Sequence, residues 1–282
     1  VTSGAAPTGL APEQRALLDA WLPGHEVVAD LGWGLIATTV LRVRAGDDDL
    51  VVKAGGPGDH HIGREIRAHL DWLGPWTPGR APTLLHHDRD ARLLVTRWLP
   101  GDLVLGTPAQ DDPDTYRQAG ALLAALHGQA PGIVDDGWEA RENARTLVCL
   151  DRPHRIDPAT VRHLRALIGS WPRPPAVLVP THGDWQPRNW LRHEGEVRVI
   201  DLGRADLRPA ASDLTRLAQR DFRRSPGSEE AFLDGYGHDP REAGAWRRVL
   251  VREAVGTIVW AYAVGAEDFE SEGHALLAEL LC

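Results

Sequence analysis

The chain contains a single lysine, Lys53, against thirty arginines, and it has no methionine in 282 residues. Asparagine is almost as scarce, present only as Asn143 and Asn189. Cysteine is limited to Cys149 and Cys282, which excludes a disulfide framework and a four-ligand zinc site. Positive charge is not in excess. A formal net charge of −9 argues against a general nucleic-acid binder, because holding a phosphate backbone requires a basic footprint. No stretch approaches the roughly 18 uninterrupted apolar residues of a membrane span, and Val1 to Arg15 lacks an apolar signal core. These absences lead us to expect a cytoplasmic protein with neither nucleic acid nor membrane as partner, working as a monomer or homodimer.

What is present is ordinary in bulk: 43% hydrophobic and 25% charged residues, enough chain for one bilobal unit or two small domains. The bias toward arginine resembles a GC-rich coding background, so the surviving lysine marks a place where arginine does not serve. Arginine is a planar fork and lysine a compact point charge; at a tight phosphate site they do not interchange. Lys53 lies in Leu50-Val51-Val52-Lys53-Ala54, a run that reads as a buried strand. A P-loop is excluded, since its lysine must precede Ser or Thr and Lys53 precedes Ala54. Schiff-base chemistry would have to use the same Lys53.

The first hundred residues read mainly as strands: His25 to Leu31, Ile36 to Arg44, the Lys53 run, Thr83 to His87 and Arg92 to Trp98. Among them the spacing of Ile62, Ile66, Leu70 and Leu73 predicts one helix from about Asp59 to Leu73. Leu99-Pro100-Gly101 breaks the pattern. The remainder reads as mostly helical, with Asp112-Pro113, Asp157-Pro158 and Asp239-Pro240 as three candidate helix starts. Tyr116, Ala119, Leu123 and Leu126 predict a buried stripe closed by Gly128. A short β region interrupts the helices at Val177 to Val179, Asn189 to Arg192 and Val197 to Asp201.

That β region carries the chemistry. A strand delivers His182-Gly183-Asp184-Trp185-Gln186-Pro187-Arg188-Asn189, and a hairpin returns Ile200-Asp201-Leu202-Gly203. An amide oxygen and a carboxylate on adjacent strands suit a hard Mg²⁺ ion, leaving other coordination positions to water and phosphates. The remaining carboxylate, Asp184, is then placed to orient and deprotonate a hydroxyl, which is the division of labour in phosphoryl transfer.

The motifs His182-Gly183-Asp184…Asn189 and Ile200-Asp201-Leu202-Gly203 resemble those of the aminoglycoside phosphotransferase family, relatives of choline kinases and more distantly of protein kinases. Leu122 to Gly128 and Leu94 to Gly101 resemble that family's preceding helix and interlobe linker, so the likeness spans about residues 25 to 265. It implies an α+β, bilobal protein-kinase-like fold: a β-rich nucleotide-binding lobe over 1–98, a linker over 99–104, and a mainly helical catalytic and substrate-binding lobe over 105–282.

The resemblance also implies roles. Asp184 is the catalytic residue, and Asn189 and Asp201 are the Mg²⁺ ligands. Lys53 contacts the phosphates of ATP or GTP and pairs with a helix carboxylate, for which Glu65 is the candidate; Asp59 and Asp71 read as solvated. Gly32 and Gly34 let backbone amides approach the phosphates, and the linker around Thr96 and Trp98 meets the base. His182 reads as a structural residue of the loop, Arg188 as a phosphate contact or a loop pin, and Asp213 as a loop buttress, a helix cap or both. The partner is a small-molecule hydroxyl acceptor. Acidic clusters at Asp135-Asp136, Glu229-Glu230 and Glu267-Asp268 with Glu270 and Glu272 suit a cationic one. An aminoglycoside or a basic peptide antibiotic of the capreomycin or viomycin type leads. A metabolic substrate such as choline, homoserine or methylthioribose is the alternative, and a nucleotide-binding module without transfer is the non-enzymatic one.

Overall fold

Alternation of side chains across a pleated strand dictates how the first sheet separates two apolar layers. The computed structural model describes residues 9–32, 38–129 and 131–281. Helix α1 (Pro12–Trp21) precedes strands β1 (Glu26–Asp30), β2 (Thr38–Ala45) and β3 (Asp48–Gly55). Helix α2 (His61–Asp71), β4 (Leu84–Asp88) and β5 (Leu93–Arg97) follow, giving an antiparallel sheet in the order β1-β2-β3-β5-β4. On β3, Leu50, Val52 and Ala54 join Leu18, Leu22, Leu41, Val43, Leu93 and Val95 in one core. Leu94, opposite Lys53 in the register, packs instead with Ile62 and Ile66 of α2. Lys53 therefore shares the α2 side of the sheet.

Helix α1 was not expected. Its start, Ala11-Pro12-Glu13-Gln14, carries a proline at the first helical position, a signal that was there to be read. Buried Gln14 ties the helix to the sheet, donating from Nε2 to the carbonyls of Gly55 (2.9 Å) and Ala91 (2.7 Å). Two further expectations change. Leu70 is 52% exposed, so the buried face of α2 is Ile62, Glu65, Ile66 and Ala68. Asp59 is not simply solvated: Oδ1 accepts from the amides of His61 (2.7 Å) and Ile62 (3.1 Å) at the helix start, and Oδ2 from Thr38 (2.8 Å).

Beyond β6 (Asp102–Leu103), helix α3 (Pro113–His127) begins with the Asp112 cap and buries Tyr116, Ala119, Leu123 and Leu126, as its periodicity predicts. Strand β7 (Ile133–Asp135), helix α4 (Trp138–Cys149) and helix α5 (Pro158–Ser170) lead to β8 (Ala176–Thr181). Asp157 caps α5 by accepting from the amides of Ala159 and Thr160, both at 3.0 Å. Strands β9 (Trp190–His193) and β10 (Glu196–Val199) form the predicted hairpin, with Trp190 opposite Val199, and β6 adds to β9. Its two turn residues, Glu194 and Gly195, both have positive φ (49° and 79°), the geometry that matches strand twist in a two-residue hairpin.

Strand β11 (Asp206–Arg208) precedes helices α6 (Thr215–Gln219), α7 (Asp221–Arg224), α8 (Pro226–Tyr236), α9 (Ala243–Val264) and α10 (Glu267–Leu281). The Asp239-Pro240 start fails: α9 begins three residues later, at Ala243, although Asp239 accepts from the amide and guanidinium of Arg241. Asp213 is buried in a 3₁₀ turn before α6, whose N-cap is Leu214, so it does not cap that helix.

The chain forms two compact units. The first comprises residues 1–129, 182–206 and 227–237, and in it α3 and α8 touch backbone to backbone. A Cβ on Gly120 would lie 2.1 Å from the Phe232 carbonyl oxygen, and one on Gly235 would lie 1.9 Å from that of Arg117. The second unit comprises 130–181, 207–226 and 238–282, with a core of Leu150, Leu164, Ile168, Val251, Val255, Ile258, Leu276 and Leu277. No described helix is long and apolar enough to cross a membrane.

Candidate active site

Lys53 projects from β3 and meets Glu65 on α2, whose Oε1 and Oε2 accept from Nζ at 2.8 and 3.0 Å. The same Nζ donates to Asp201 Oδ1 at 3.3 Å. The three groups differ in access: the side chains of Lys53 and Glu65 are 15% and 5% exposed, that of Asp201 51%. Burial alone would lower the Lys53 pKa, but the Asp201 and Glu65 carboxylates outweigh it and raise it, so the lysine is charged. The Lys53 charge holds Asp201 at about 2 against a smaller opposing effect of burial, with His182 and Arg188 adding to the lowering. Asp201 therefore presents a half-open, fully ionised carboxylate. It does so from a left-handed backbone (φ 65°), an uncommon conformation for a residue with a side chain.

The second group is built on the loop after β8. Gly183 adopts φ 80°, which its missing Cβ permits, and turns the chain so that Asp184 faces inward, 3% exposed. His182 is wholly buried: its Nδ1 accepts from the Asp184 amide (3.3 Å), and Nε2 lies 3.1 Å from the Ile200 carbonyl oxygen. Asp184 Oδ1 accepts from Gln186 Nε2 at 2.6 Å; Oδ2 accepts from Arg188 Nη2 at 2.6 Å and Asn189 Nδ2 at 3.1 Å. Asn189 Nδ2 also donates to the Asp184 carbonyl at 2.8 Å. Both contacts use the amide nitrogen, which leaves the amide oxygen for another partner. The loop is locked from beneath by aromatic packing: Trp185 lies 5.6 Å from Trp76, 5.5 Å from Trp190 and 5.3 Å from His182, centroid to centroid.

Backbone bonds tie the two groups together. The Ile200 amide, next to Asp201, donates to the Asn189 carbonyl at 3.0 Å. His61 at the start of α2 lies with Nδ1 2.9 Å from the Gly203 carbonyl oxygen. The helix that carries Glu65 is thus fastened to the loop that carries Asp201.

Five expected residues, Lys53, Glu65, Asp184, Asn189 and Asp201, therefore come together in the first compact unit. The others stand apart from these contacts. Gly32 is exposed just after β1, its amide donating to Asp30 Oδ1 at 2.8 Å, and Gly34 lies outside the described residues. Thr96 is buried inside the sheet, between Val51 and Leu84 in the register. The Trp98 amide donates to the Asp49 carbonyl at 2.9 Å, and its indole lies under Arg42. Sequence reasoning missed Gln186 and His61, which act through contacts that no spacing rule announces.

A family model described as the phosphotransferase enzyme family matches residues 27–250. No curated protein matches the chain. Among solved structures, choline kinase LicA from Streptococcus pneumoniae superposes with a TM-score of 0.67 at 15% identity, over 95% of both chains. Macrolide 2'-phosphotransferase MphH from Brachybacterium faecium gives 0.58 at 19% identity, over 95% of this chain and 98% of that one. A thermostable mutant of aminoglycoside phosphotransferase APH(4)-Ia, in a ternary complex with AMP-PNP and hygromycin B, gives 0.69 at 12%, over 96% and 98%. Their shared architecture is kinase-like, in agreement with the expected α+β fold. With a matched segment that spans most of its length, the chain belongs to the phosphotransferase enzyme family.

Proposed function

We propose that the protein is a Mg²⁺-dependent small-molecule kinase that moves the terminal phosphoryl group of ATP or GTP to a hydroxyl of a cationic acceptor. The observation that carries this reading is the meeting, in one compact unit, of a paired strand lysine and two differently solvated carboxylates on the segments before and after one hairpin. The acceptor oxygen attacks phosphorus as the bond to the nucleoside-diphosphate oxygen breaks, and the hydroxyl proton passes to the Asp184 carboxylate. Lys53, fixed by Glu65, steadies the nucleotide phosphates. The Asn189 amide oxygen and the half-open Asp201 carboxylate are hard oxygen donors that fit Mg²⁺, with phosphates completing its shell. When bound, that ion neutralises charge on the phosphates. The nucleotide-binding lobe over 1–98, the linker over 99–104 and the catalytic lobe over 105–282 belong to the same proposal, as does docking of the base at the linker.

The acceptor we favour is a polycationic antibiotic, an aminoglycoside or a basic peptide of the capreomycin or viomycin type. The acidic composition of the helical region supports a cationic ligand, although Asp135, Glu270 and Glu272 are already paired with Arg141, Arg155 and Arg220. Likeness to a choline kinase supports the second reading, a metabolic hydroxyl-amine substrate.

The test is nucleotide turnover with Mg²⁺ against a panel of amine-bearing antibiotics and metabolites, in wild type and Asp184→Asn. Transfer to one acceptor that falls by about 10³-fold or more in the variant, with nucleotide affinity within about twofold, is the expected result. Equal turnover in both proteins would refute the role of Asp184. Binding of nucleotide with no transfer to any acceptor would leave a regulatory module instead.

A further inference from the structure

Arg188 is the one residue of the loop whose side chain brings a full positive charge onto the Asp184 carboxylate, at 2.6 Å. Orientation of Asp184 does not require that charge, because Gln186 and Asn189 already hold one carboxylate oxygen each. The guanidinium engages Oδ2, which also accepts from Asn189, so these two contacts use both lone pairs of that oxygen. For a substrate hydroxyl to donate to Oδ2, one of them has to open, and the guanidinium is the more exposed. A phosphate is the anion that would open it, since it carries more charge and matches the guanidinium fork.

Position agrees with that chemistry. Arg188 is 26% exposed where Asp184 is 3% exposed, so the guanidinium has the open side of the pair. Its chain neighbour Asn189 is assigned to the metal, and its side-chain partner Asp184 to the acceptor hydroxyl. In-line transfer carries the phosphoryl group between those two points. We infer that Arg188 is a catalytic residue that rests on Asp184 and shifts to the transferring phosphoryl group when a nucleoside triphosphate binds, releasing the base as it goes. The inference rests on the proposed role of Asp184.

The experiment is calorimetric titration of the full chain with Mg·ADP and with Mg·AMP-PNP, in wild type, Arg188→Gln and Arg188→Ala, with melting temperatures measured alongside. Arg188→Gln keeps a hydrogen-bond donor for the loop and loses only the charge. The expected result is that both variants bind ADP within about twofold of wild type and lose about tenfold or more of the preference for AMP-PNP. An unchanged preference, with or without a lower melting temperature, would make Arg188 a structural pin and overturn the inference. Should Arg188→Ala fail to fold, Arg188→Gln decides on the same criterion. Asp184→Asn separates the two levels. If it transfers phosphate as fast as wild type, the role of Asp184 fails and the inference with it; if its transfer falls as expected and the Arg188 variants keep wild-type preference, only the arginine assignment fails.

Discussion

Lys53 in the first compact unit and Glu139 in the second each centre a cluster of buried charge, and the two are built differently. In the first, one lysine serves two carboxylates, and Asp201 stays half-open to solvent. In the second, Glu139 on α4 takes two arginines of α9: Arg248 Nε at 3.0 Å and Arg252 Nη2 at 2.5 Å. Arg252 continues to Asn143 Oδ1 at 2.5 Å and lies over the Trp171 ring. Burial raises the Glu139 pKa, but its arginines lower it more, so the carboxylate is ionised with 6% of its side chain exposed. The comparison teaches that burial of charge does not identify a reactive site. A guanidinium fork closes a network around its acid, whereas a point charge shared between two acids leaves one of them open to a ligand.

The largest effect expected is on the closed cluster. Glu139→Ala strands two arginines and should cost roughly 3–5 kcal/mol in urea unfolding. A cost below about 1 kcal/mol would mean the cluster is held by packing alone. Next comes the open one. Lys53→Arg preserves charge, yet a planar fork does not reproduce the lysine's reach, and we expect roughly a 100-fold loss of kcat/KM with little loss of stability. A variant that performs like wild type would put the lysine on a par with the arginines that outnumber it.

A third test concerns His69, one turn beyond Glu65 on α2. Its Nε2 is enclosed with no hydrogen-bond partner among the described residues. Burial, then the Lys53 charge, lower its pKa from 6.5 to about 4. The native state keeps it neutral while the unfolded chain binds a proton below 6.5, so this residue costs stability as pH falls toward 4. Between pH 7 and pH 5 the loss is about 2 kcal/mol, and His69→Gln should flatten that slope in pH-dependent denaturation curves. The smallest effect sets a baseline outside both clusters: Asp157→Ala removes a working cap and should cost about 1 kcal/mol in thermal unfolding. Asp239→Ala should cost less, because no helix starts there.

Much of this was legible in the chain. A short apolar run located β3, and spacings of three and four located α2 and α3, because such local patterns are imposed by the backbone and do not depend on what lies opposite. The linear motifs placed Asp184, Asn189 and Asp201 within a single hairpin-bounded stretch. Other features depended on partners remote in sequence. Leu70 keeps the apolar spacing yet is left exposed, since burial depends on which neighbours the fold brings to each side of the helix. Asp239 accepts from the Arg241 amide as a cap would, yet the helix begins only at Ala243.

The sequence alone determined that one lysine lies in a buried strand and that two carboxylates and an amide flank one hairpin. Glu65 was the expected partner of Lys53, but only the tertiary structure decided that Asp201 shares the lysine and which acid Arg188 serves. Lys53 joins Glu65 twelve positions away and Asp201 148 positions away, while Arg188 settles on Asp184. Electrostatic pairing falls steeply with distance in space and is indifferent to distance along the chain. The composition marked Lys53 as exceptional, and the fold supplied the two acids that keep it charged.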